Sequence, residues 1–291
     1  MEFKLRSYPC PCCKEQDTKK LLMKQGFAIV KCSNCNFVFV NPRVADEELA
    51  FIYSHNYFQN KDYGYVSYEQ EKRLRIKNFE RWLKDAQPFL PPGKPVTALD
   101  VGCAAGYCLE VMKNNNWTAD GLELDEKLCN ELQAAGFYVT PQMLQNFESQ
   151  GKYSLITLFD VIEHIPAIDA AFSQLNKLLA DDGIIVIVTP DHGSFQRKLF
   201  GKRWFQYKPI EHIQYFTKET LEVFATRNGL QMIFHSGCGQ YADTEFILNR
   251  LKYYHFDFIA GFFRFIFKMI PLRKRFFYTG TGSIYAIFKK K

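Results

Sequence analysis

The sequence predicts an α/β fold with a doubly wound, mostly parallel sheet and a small cysteine-rich module at the amino terminus. From residue 95 onward, apolar strand-like runs are separated by single helix-like segments, which is typical of parallel strands joined by crossover helices. The run GIIVIVT at 183–189 is apolar almost throughout, as expected of a strand buried on both faces. Two C-x-x-C pairs between residues 10 and 35 define the module.

Strands and helices alternate along the main domain. The predicted strands are 96–102, 118–124, 153–162, 183–189, 230–235 and 283–288. The predicted helices are 107–116, 126–135, 167–180 and 218–228. The segment 46–86 also has helical spacing, and the breaker cluster PFLPPGKP ends it. We therefore predict a module at 1–45, a helical linker or cap at 46–94, and a main domain at 95–291.

Composition and charge limit the class of protein. The chain has 291 residues and a net charge of +6. Residues 250–291 hold ten Lys or Arg and one Asp, so this tail carries +9 and the rest of the chain −3. The start, MEFKLRSYPC, lacks the apolar core of a signal peptide, and no 18-residue apolar stretch predicts a membrane span. Five of the nine cysteines follow no framework spacing, which favours a reducing, cytoplasmic location.

The remaining four cysteines have metal-ligand spacing. Cys10 and Cys13 form one C-x-x-C, and Cys32 and Cys35 form a second, 18 residues further on. Each pair can wrap one side of a tetrahedral ion, so the pattern predicts a structural zinc site with no open position. A redox C-x-x-C or a chance pairing is the alternative.

The stretch LDVGCAAGY at 99–107 is a strand followed by a turn of small residues. A dinucleotide usually requires G-x-G-x-x-G at this place, because its pyrophosphate approaches the backbone closely. Here only Gly102 and Gly106 remain of the pattern, which favours a ligand without phosphates. Glu123 ends the next strand, where a carboxylate can accept hydrogen bonds from ribose hydroxyls. A ribose occurs in both NAD and S-adenosylmethionine, so Glu123 alone does not discriminate between them.

LDVGCAAG, DGLELDEKL and YSLITLFDVIEHIP, in this order, resemble the motifs of class I S-adenosylmethionine-dependent methyltransferases. The resemblance covers roughly residues 95–290 and implies a Rossmann-like sheet of seven strands. It also implies a set of cofactor-binding residues, with Glu123 as the ribose acid and Asp160 near the cofactor's ammonium group. The set is Asp100, Gly102, Cys103, Ala104, Gly106, Glu123, Leu124, Phe159 and Asp160. VKCSNCNFVFVNPR and the segment from Trp204 to His212 resemble a subgroup with an N-terminal zinc-binding segment.

Two histidines are candidate catalytic bases. Methyl transfer needs alignment of nucleophile, carbon and sulfur, and a base only when the acceptor is a hydroxyl or an acidic carbon. An unperturbed histidine titrates near the operating pH, which suits this role, so His164 and His212 are the candidates. The alternatives are that His164 bonds to the backbone after its strand and that His212 caps its own loop.

An aromatic and basic insertion at about 246–279 precedes the last strand. Asp257, Gly261, Arg264 and Lys268 fall on one helical face, and phenylalanines cover most of the rest. This pattern predicts an interfacial helix and peripheral association with the inner face of the membrane. Packing against the protein's own sheet or a dimer partner is the alternative.

These observations lead to a methyltransferase whose acceptor is small or lipid-linked, such as a sugar, a quinone-like ring or a glycolipid precursor. The second hypothesis is an RNA methyltransferase that uses the zinc segment and the basic tail. It is disfavoured because the basic residues lie among phenylalanines rather than along a polar groove. A third is a cofactor-binding scaffold without activity. The acceptor atom and the oligomeric state stay open.

Overall fold

The computed structural model describes residues 3–49, 68–243 and 277–291, together with Leu248. Its strands are β1 (Leu5–Arg6), β2 (Thr18–Lys24), β3 (Phe27–Cys32), β4 (Val38–Val40), β5 (Arg43–Val44), β6 (Thr97–Val101), β7 (Thr118–Leu122), β8 (Tyr138–Thr140), β9 (Tyr153–Phe159), β10 (Leu179–Pro190), β11 (Gln214–Tyr215), β12 (Leu230–Ala242) and β13 (Phe277–Lys290). Its helices are α1 (Tyr68–Ala86), α2 (Tyr107–Asn114), α3 (Glu126–Ala134), α4 (Ile168–Leu178), α5 (Phe195–Phe200) and α6 (Lys218–Arg227). In these described ranges no helix is both long enough and apolar enough to cross a bilayer.

The main sheet has seven strands in the order β12-β13-β10-β9-β6-β7-β8. The strands from β10 to β8 are parallel, and β13 runs antiparallel to both of its neighbours. Ile184 to Val188 form the centre of β10 and are fully buried. The predicted doubly wound, mostly parallel fold is therefore confirmed.

Helices cover both faces of this sheet. α1, α2 and α3 bury Leu83, Leu109 and Leu132 against one face. α4 and α6 bury Phe172 and Phe224 against the other face. α1 belongs to the segment that we predict as a linker or cap, and it packs directly on the sheet. The boundaries at residues 45 and 94 stay a prediction.

Two element ends differ from the prediction. α4 stops at Leu178, before residue 180, because Leu179 pairs with Tyr153 as the first residue of β10. β12 and β13 both extend beyond their predicted ranges, since Ala242 pairs with Phe277 at the far end of a long antiparallel ladder. Local composition does not indicate this pairing. Residues 249–276, which hold most of the predicted aromatic insertion, lie outside the described residues.

The cysteine-rich module shares its sheet and its core with the main domain. β2, β3 and β4 form an antiparallel sheet, and β11 of the main domain joins it by pairing with β4. The ring of Phe37 lies 5.6 Å from the rings of both Phe216 and Phe224. The module is thus packed into the protein through a continuous aromatic core.

Candidate active site

The turn between β6 and α2 has the backbone that its glycines predict. Gly102 has φ of +70°, and Gly106 caps α2 with φ of +74°. A Cβ on Gly102 would lie 2.7 Å from a methyl group of Val161, and one on Gly106 would overlap Leu132. Side chains at either position are therefore excluded by conformation and by space. Gly102 and Ala104 line a cleft at the carboxyl edge of the sheet.

Glu123 lies directly after β7 and faces the same cleft. Its carboxylate accepts hydrogen bonds from the backbone N–H groups of Ala104 (2.9 Å), Leu124 (2.7 Å) and Asp125 (3.0 Å). Burial raises the pKa of Glu123, and these three donors oppose that effect. The donors fix the carboxylate against the glycine turn, and its remaining lone pairs are available to a ligand.

Asp100 and Cys103 lie behind the turn rather than in the cleft. Thr157 donates a hydrogen bond of 2.6 Å from its hydroxyl to Asp100. Burial raises the pKa of Asp100 to about 7. Cys103 is 5% exposed, and its thiol faces Gly121 of β7. Both residues therefore support the turn from the side that faces away from the cleft.

Phe159 is the last residue of β9 and Asp160 follows it, and both line the cleft opposite Glu123. Asp160 has φ of +56°, and its backbone N–H donates to Val188. Burial raises the pKa of Asp160 to about 6, while the charges of Arg75 and Lys208 lower it. Phe159 stacks on Phe79 of α1 with 5.7 Å between ring centroids. The strand end is thus held from α1 and from β10.

Glu163, His164 and His212 form a cluster at the cleft wall. One ligand atom from each residue lies within 4.8 Å of the other two. The Thr189 hydroxyl donates to one Glu163 oxygen at 2.8 Å. The other oxygen lies 3.9 Å from His164 Nε2 and accepts no hydrogen bond from the described residues. Burial, with the charge of Asp160, raises the pKa of Glu163 to about 8, so Glu163 is largely protonated at neutral pH.

Both histidines of the cluster are neutral. Burial and the charge of Lys208 lower the pKa of His164 to about 3. Burial also lowers the pKa of His212 well below its usual value. His212 Nδ1 lies 2.9 Å from the carbonyl oxygen of Gln206. A carbonyl only accepts, so Nδ1 carries the proton and Nε2 holds the lone pair.

The structure brings most of the predicted site residues together. The predicted residues that line the cleft are Gly102, Ala104, Glu123, Leu124, Phe159, Asp160 and His164. Asp100, Cys103, Gly106 and His212 lie outside its lining. Sequence analysis did not single out Arg75 of α1, or Asp46 and Leu49 beyond β5, all of which line the cleft. No short motif marks them, because distant parts of the chain carry them there.

The cleft fits S-adenosylmethionine chemically. The small residues at Gly102 and Ala104 leave the turn backbone accessible. A fixed carboxylate, Glu123, faces the place next to that turn, as ribose hydroxyls require. Asp160 provides a second acid at the other end of the cleft, where a cationic group can be held.

The four cysteines of the predicted zinc site also lie together. The sulfurs of Cys10 and Cys35 are 3.5 Å apart, as are those of Cys13 and Cys32. All four sulfurs lie within 4.8 Å of one another. Zinc–sulfur bonds of about 2.3 Å in a tetrahedron place sulfurs about 3.8 Å apart. The arrangement therefore fits a zinc ion, and none of the nine cysteines forms a disulfide.

Comparisons with known proteins indicate the family to which the chain belongs. A family model described as a methyltransferase domain matches residues 72–235. A ubiquinone biosynthesis O-methyltransferase of Pelagibacter ubique (strain HTCC1062) is 27% identical over 107 residues, which are 34% of this chain and 43% of that protein. The match thus spans less than half of the curated relative.

Solved structures share the fold at low sequence identity. An S-adenosylmethionine-dependent methyltransferase from Clostridium acetobutylicum ATCC 824 superimposes with a TM-score of 0.50 and 13% identity, covering 76% of this chain and 95% of that one. A chain from the complex of the Haloferax volcanii Trm112 methyltransferase activator with a methyltransferase superimposes with a TM-score of 0.51 and 10% identity. This match covers 76% of the present chain and 93% of that one.

The family model covers more than half of the chain. The chain therefore belongs to the methyltransferase-domain family, and its seven-stranded sheet has the class I methyltransferase fold.

Proposed function

We propose that this enzyme methylates a hydroxyl group of a small or lipid-linked acceptor, with His164 as the base. The observation that carries the proposal is a neutral histidine in the cleft wall, next to Phe159 and Asp160. Similarity to the ubiquinone biosynthesis O-methyltransferase supports a quinone-like ring as one acceptor class. A sugar and a glycolipid precursor are the others.

S-adenosylmethionine supplies an electrophilic methyl group that already carries its leaving group. Glu123 and the backbone at Gly102 would hold the ribose end, and Asp160 would hold the ammonium end. The protein then needs to align the acceptor oxygen with the methyl carbon. Asp46 and Leu49 line the cleft beside His164 and provide part of the acceptor wall.

His164 removes the proton of the acceptor hydroxyl. One ring nitrogen of His164 donates to the backbone carbonyl of Glu211, so the second ring nitrogen holds the lone pair. Imidazolium formation at His164 is unfavourable in this buried place. The unbonded oxygen of Glu163 lies 3.9 Å from His164 Nε2, so in the form of the enzyme in which Glu163 is already ionised, its carboxylate would lie beside the new cation. This arrangement gives Glu163 a role in stabilising the charged histidine.

We also propose that the four cysteines hold a structural zinc ion. The module packs through Phe37 into the aromatic core. The ion would therefore stabilise the whole enzyme and not only the cysteine-rich module. This packing makes a nucleic-acid acceptor less favoured, because a module that binds RNA would need its own exposed basic surface. The membrane role that we predict for residues 246–279 falls almost entirely outside the described residues and stays a prediction.

Labelled S-adenosylmethionine, purified protein and a cell extract test the acceptor class. Products are separated into organic, small aqueous, RNA and protein fractions. Label in the organic or small aqueous fraction is expected, and label confined to RNA or protein would contradict the proposal. Glu163, His164 and His212 lie close enough together to share a cation. Parallel reactions with a chelator therefore show whether methyl transfer depends on such a cation or on proton transfer to His164 alone.

A further inference from the structure

α5 lies on the protein with its polar side inward. It begins at Ser194, whose hydroxyl accepts from the N–H of Arg197. Gln196 packs against the start of β13, where a Cβ on Gly282 would lie 3.1 Å from Gln196 Cβ. Nε of Arg197 donates to the hydroxyl of Tyr207 at 3.3 Å, and Tyr207 is 1% exposed. Polar side chains therefore make the contacts at the start of α5, and Phe200 at its end packs against the core that contains Trp204 and Tyr207.

Two of the three apolar side chains of α5 point to solvent. Phe195 is 71% exposed and Leu199 63% exposed. They are four residues apart, so they lie one turn apart on the same face of the helix. Phe195 is the most exposed large hydrophobic side chain among the described residues. An exposed apolar pair of this kind indicates a surface that meets an apolar partner.

Cations surround this apolar face. Lys198, Lys202 and Arg203 are exposed, and none forms an ion pair with an acidic residue in the described parts of the chain. No Asp or Glu occurs between residues 192 and 210. A second basic feature lies nearby: Lys19 of β2 stands directly opposite Lys31 of β3, and the charge of Lys31 reaches His192. Like charges in direct register destabilise a sheet unless an anion compensates them.

A second copy of the chain does not fit this surface. In a symmetric dimer the same patch would meet itself, and its cations would repel one another. An anionic bilayer offers both an apolar layer for Phe195 and Leu199 and negative headgroups for the cations around them.

We propose that α5 and the turn after it, residues 195–203, dock the enzyme on an anionic membrane surface. α5 follows β10 at the carboxyl edge of the sheet, and the cofactor cleft opens at this edge. β12 ends and β13 begins there as well, with Ala242 opposite Phe277. Docking would bring the acceptor side of the cleft toward the bilayer. The inference concerns binding and does not depend on which acceptor is methylated.

Co-sedimentation with vesicles tests this surface on the full-length protein. Vesicles of phosphatidylcholine, with and without phosphatidylglycerol, are compared at low and high salt. The wild-type protein is expected to bind only the anionic vesicles, and less at high salt. Phe195→Ser with Leu199→Ser should weaken binding roughly tenfold or more. Lys198→Gln with Lys202→Gln and Arg203→Gln should weaken it roughly a hundredfold, at about fivefold per cation.

Tyr138→Ser is the matched control. Tyr138 is 65% exposed and begins β8, at the opposite edge of the sheet, so its variant should bind vesicles like the wild type. Calorimetric binding of S-adenosylmethionine shows that each variant is folded and separates loss of docking from loss of the site. Unchanged vesicle binding by both α5 variants would overturn the proposal. The proposal would also be overturned if single-stranded RNA abolished vesicle binding by the wild-type protein and the α5 variants lost RNA binding as strongly as vesicle binding.

Discussion

The imidazole rings of His164 and His212 meet edge to face, with 4.9 Å between their centroids and an interplanar angle of 89°. His164 lines the cleft, whereas His212 stands behind it with its Nδ1–H bound to Gln206. The two residues that we predict as bases are thus neighbours with different positions. One can touch an acceptor, and the other can only act through its neighbour.

His164→Gln should lower kcat by about 10²- to 10⁴-fold, the usual contribution of a positioned base. His212→Gln should have a smaller effect, because His212 does not face the cleft. Steady-state kinetics with the acceptor found in the labelling experiment, together with S-adenosylmethionine binding, provides the measurement. His235→Gln is the control, since His235 is exposed on β12. A His164 variant with normal kcat would remove this residue from the mechanism.

Glu123→Gln should weaken S-adenosylmethionine binding by roughly 10- to 100-fold, the loss expected when hydrogen bonds to a charged acceptor are removed. The amide can replace only one of the two oxygens that accept from the turn backbone, so the turn loses support as well. Isothermal calorimetry measures the affinity. Glu126→Gln removes a nearby exposed acid and should leave it unchanged. Equal affinities for the Glu123 variant and the wild type would exclude Glu123 as the ribose ligand.

Glu163 should make stability depend on pH. Its folded pKa, about 8, lies above the ordinary value of 4.5, so the folded state holds the proton more tightly than the unfolded state. The stability that the protonated Glu163 contributes to the folded state is fully present below about pH 4.5 and is lost as pH rises through about 8. Glu163→Gln cannot ionise, so it should gain stability relative to the wild type over this window, on the order of a few kcal/mol.

Urea unfolding of both proteins at several pH values measures this difference. Asp100, whose pKa is also raised by burial, contributes equally to both proteins and cancels to first order. A difference that does not change with pH would show that Glu163 is ionised in the folded state.

Cys32→Ser should reduce bound zinc from about one ion per chain and lower the unfolding free energy by several kcal/mol. Because the module shares its aromatic core with Phe216 and Phe224, thermal unfolding should remain one transition and move to lower temperature. Cys12→Ala is the control, since Cys12 is buried in the module but is not one of the four clustered cysteines. Mass spectrometry of metal content and calorimetry give the two readouts. Zinc-free wild-type protein of unchanged stability would contradict the assignment.

Local sequence was sufficient for much of the fold and for one side of the cleft. Strands and helices follow from periodicity, and the glycine turn follows from the φ values that only Gly102 and Gly106 adopt without strain. Glu123 is recognisable because it ends the second strand of the alternating pattern. The four cysteines are recognisable because each C-x-x-C pair has the two-residue spacing that is typical of metal ligands.

Contacts between distant segments could not be read in this way. Arg75 enters the cleft only because α1 returns to the sheet. Phe195 and Leu199 of α5 are exposed because the other side of the helix is fixed by β13, by Tyr207 and by the core around Phe200. The length of β12 and β13 depends on their pairing with each other, which leaves no mark in either segment.

The sequence by itself therefore determined the class of fold, the glycine turn and the grouping of the four cysteines, since each depends on spacing within a short segment. Tertiary structure decided that His164 faces the cleft while His212 supports it, and that β11 joins the sheet of the module. These arrangements depend on the register in which strands far apart in the chain come together, and local spacing carries no information about that register.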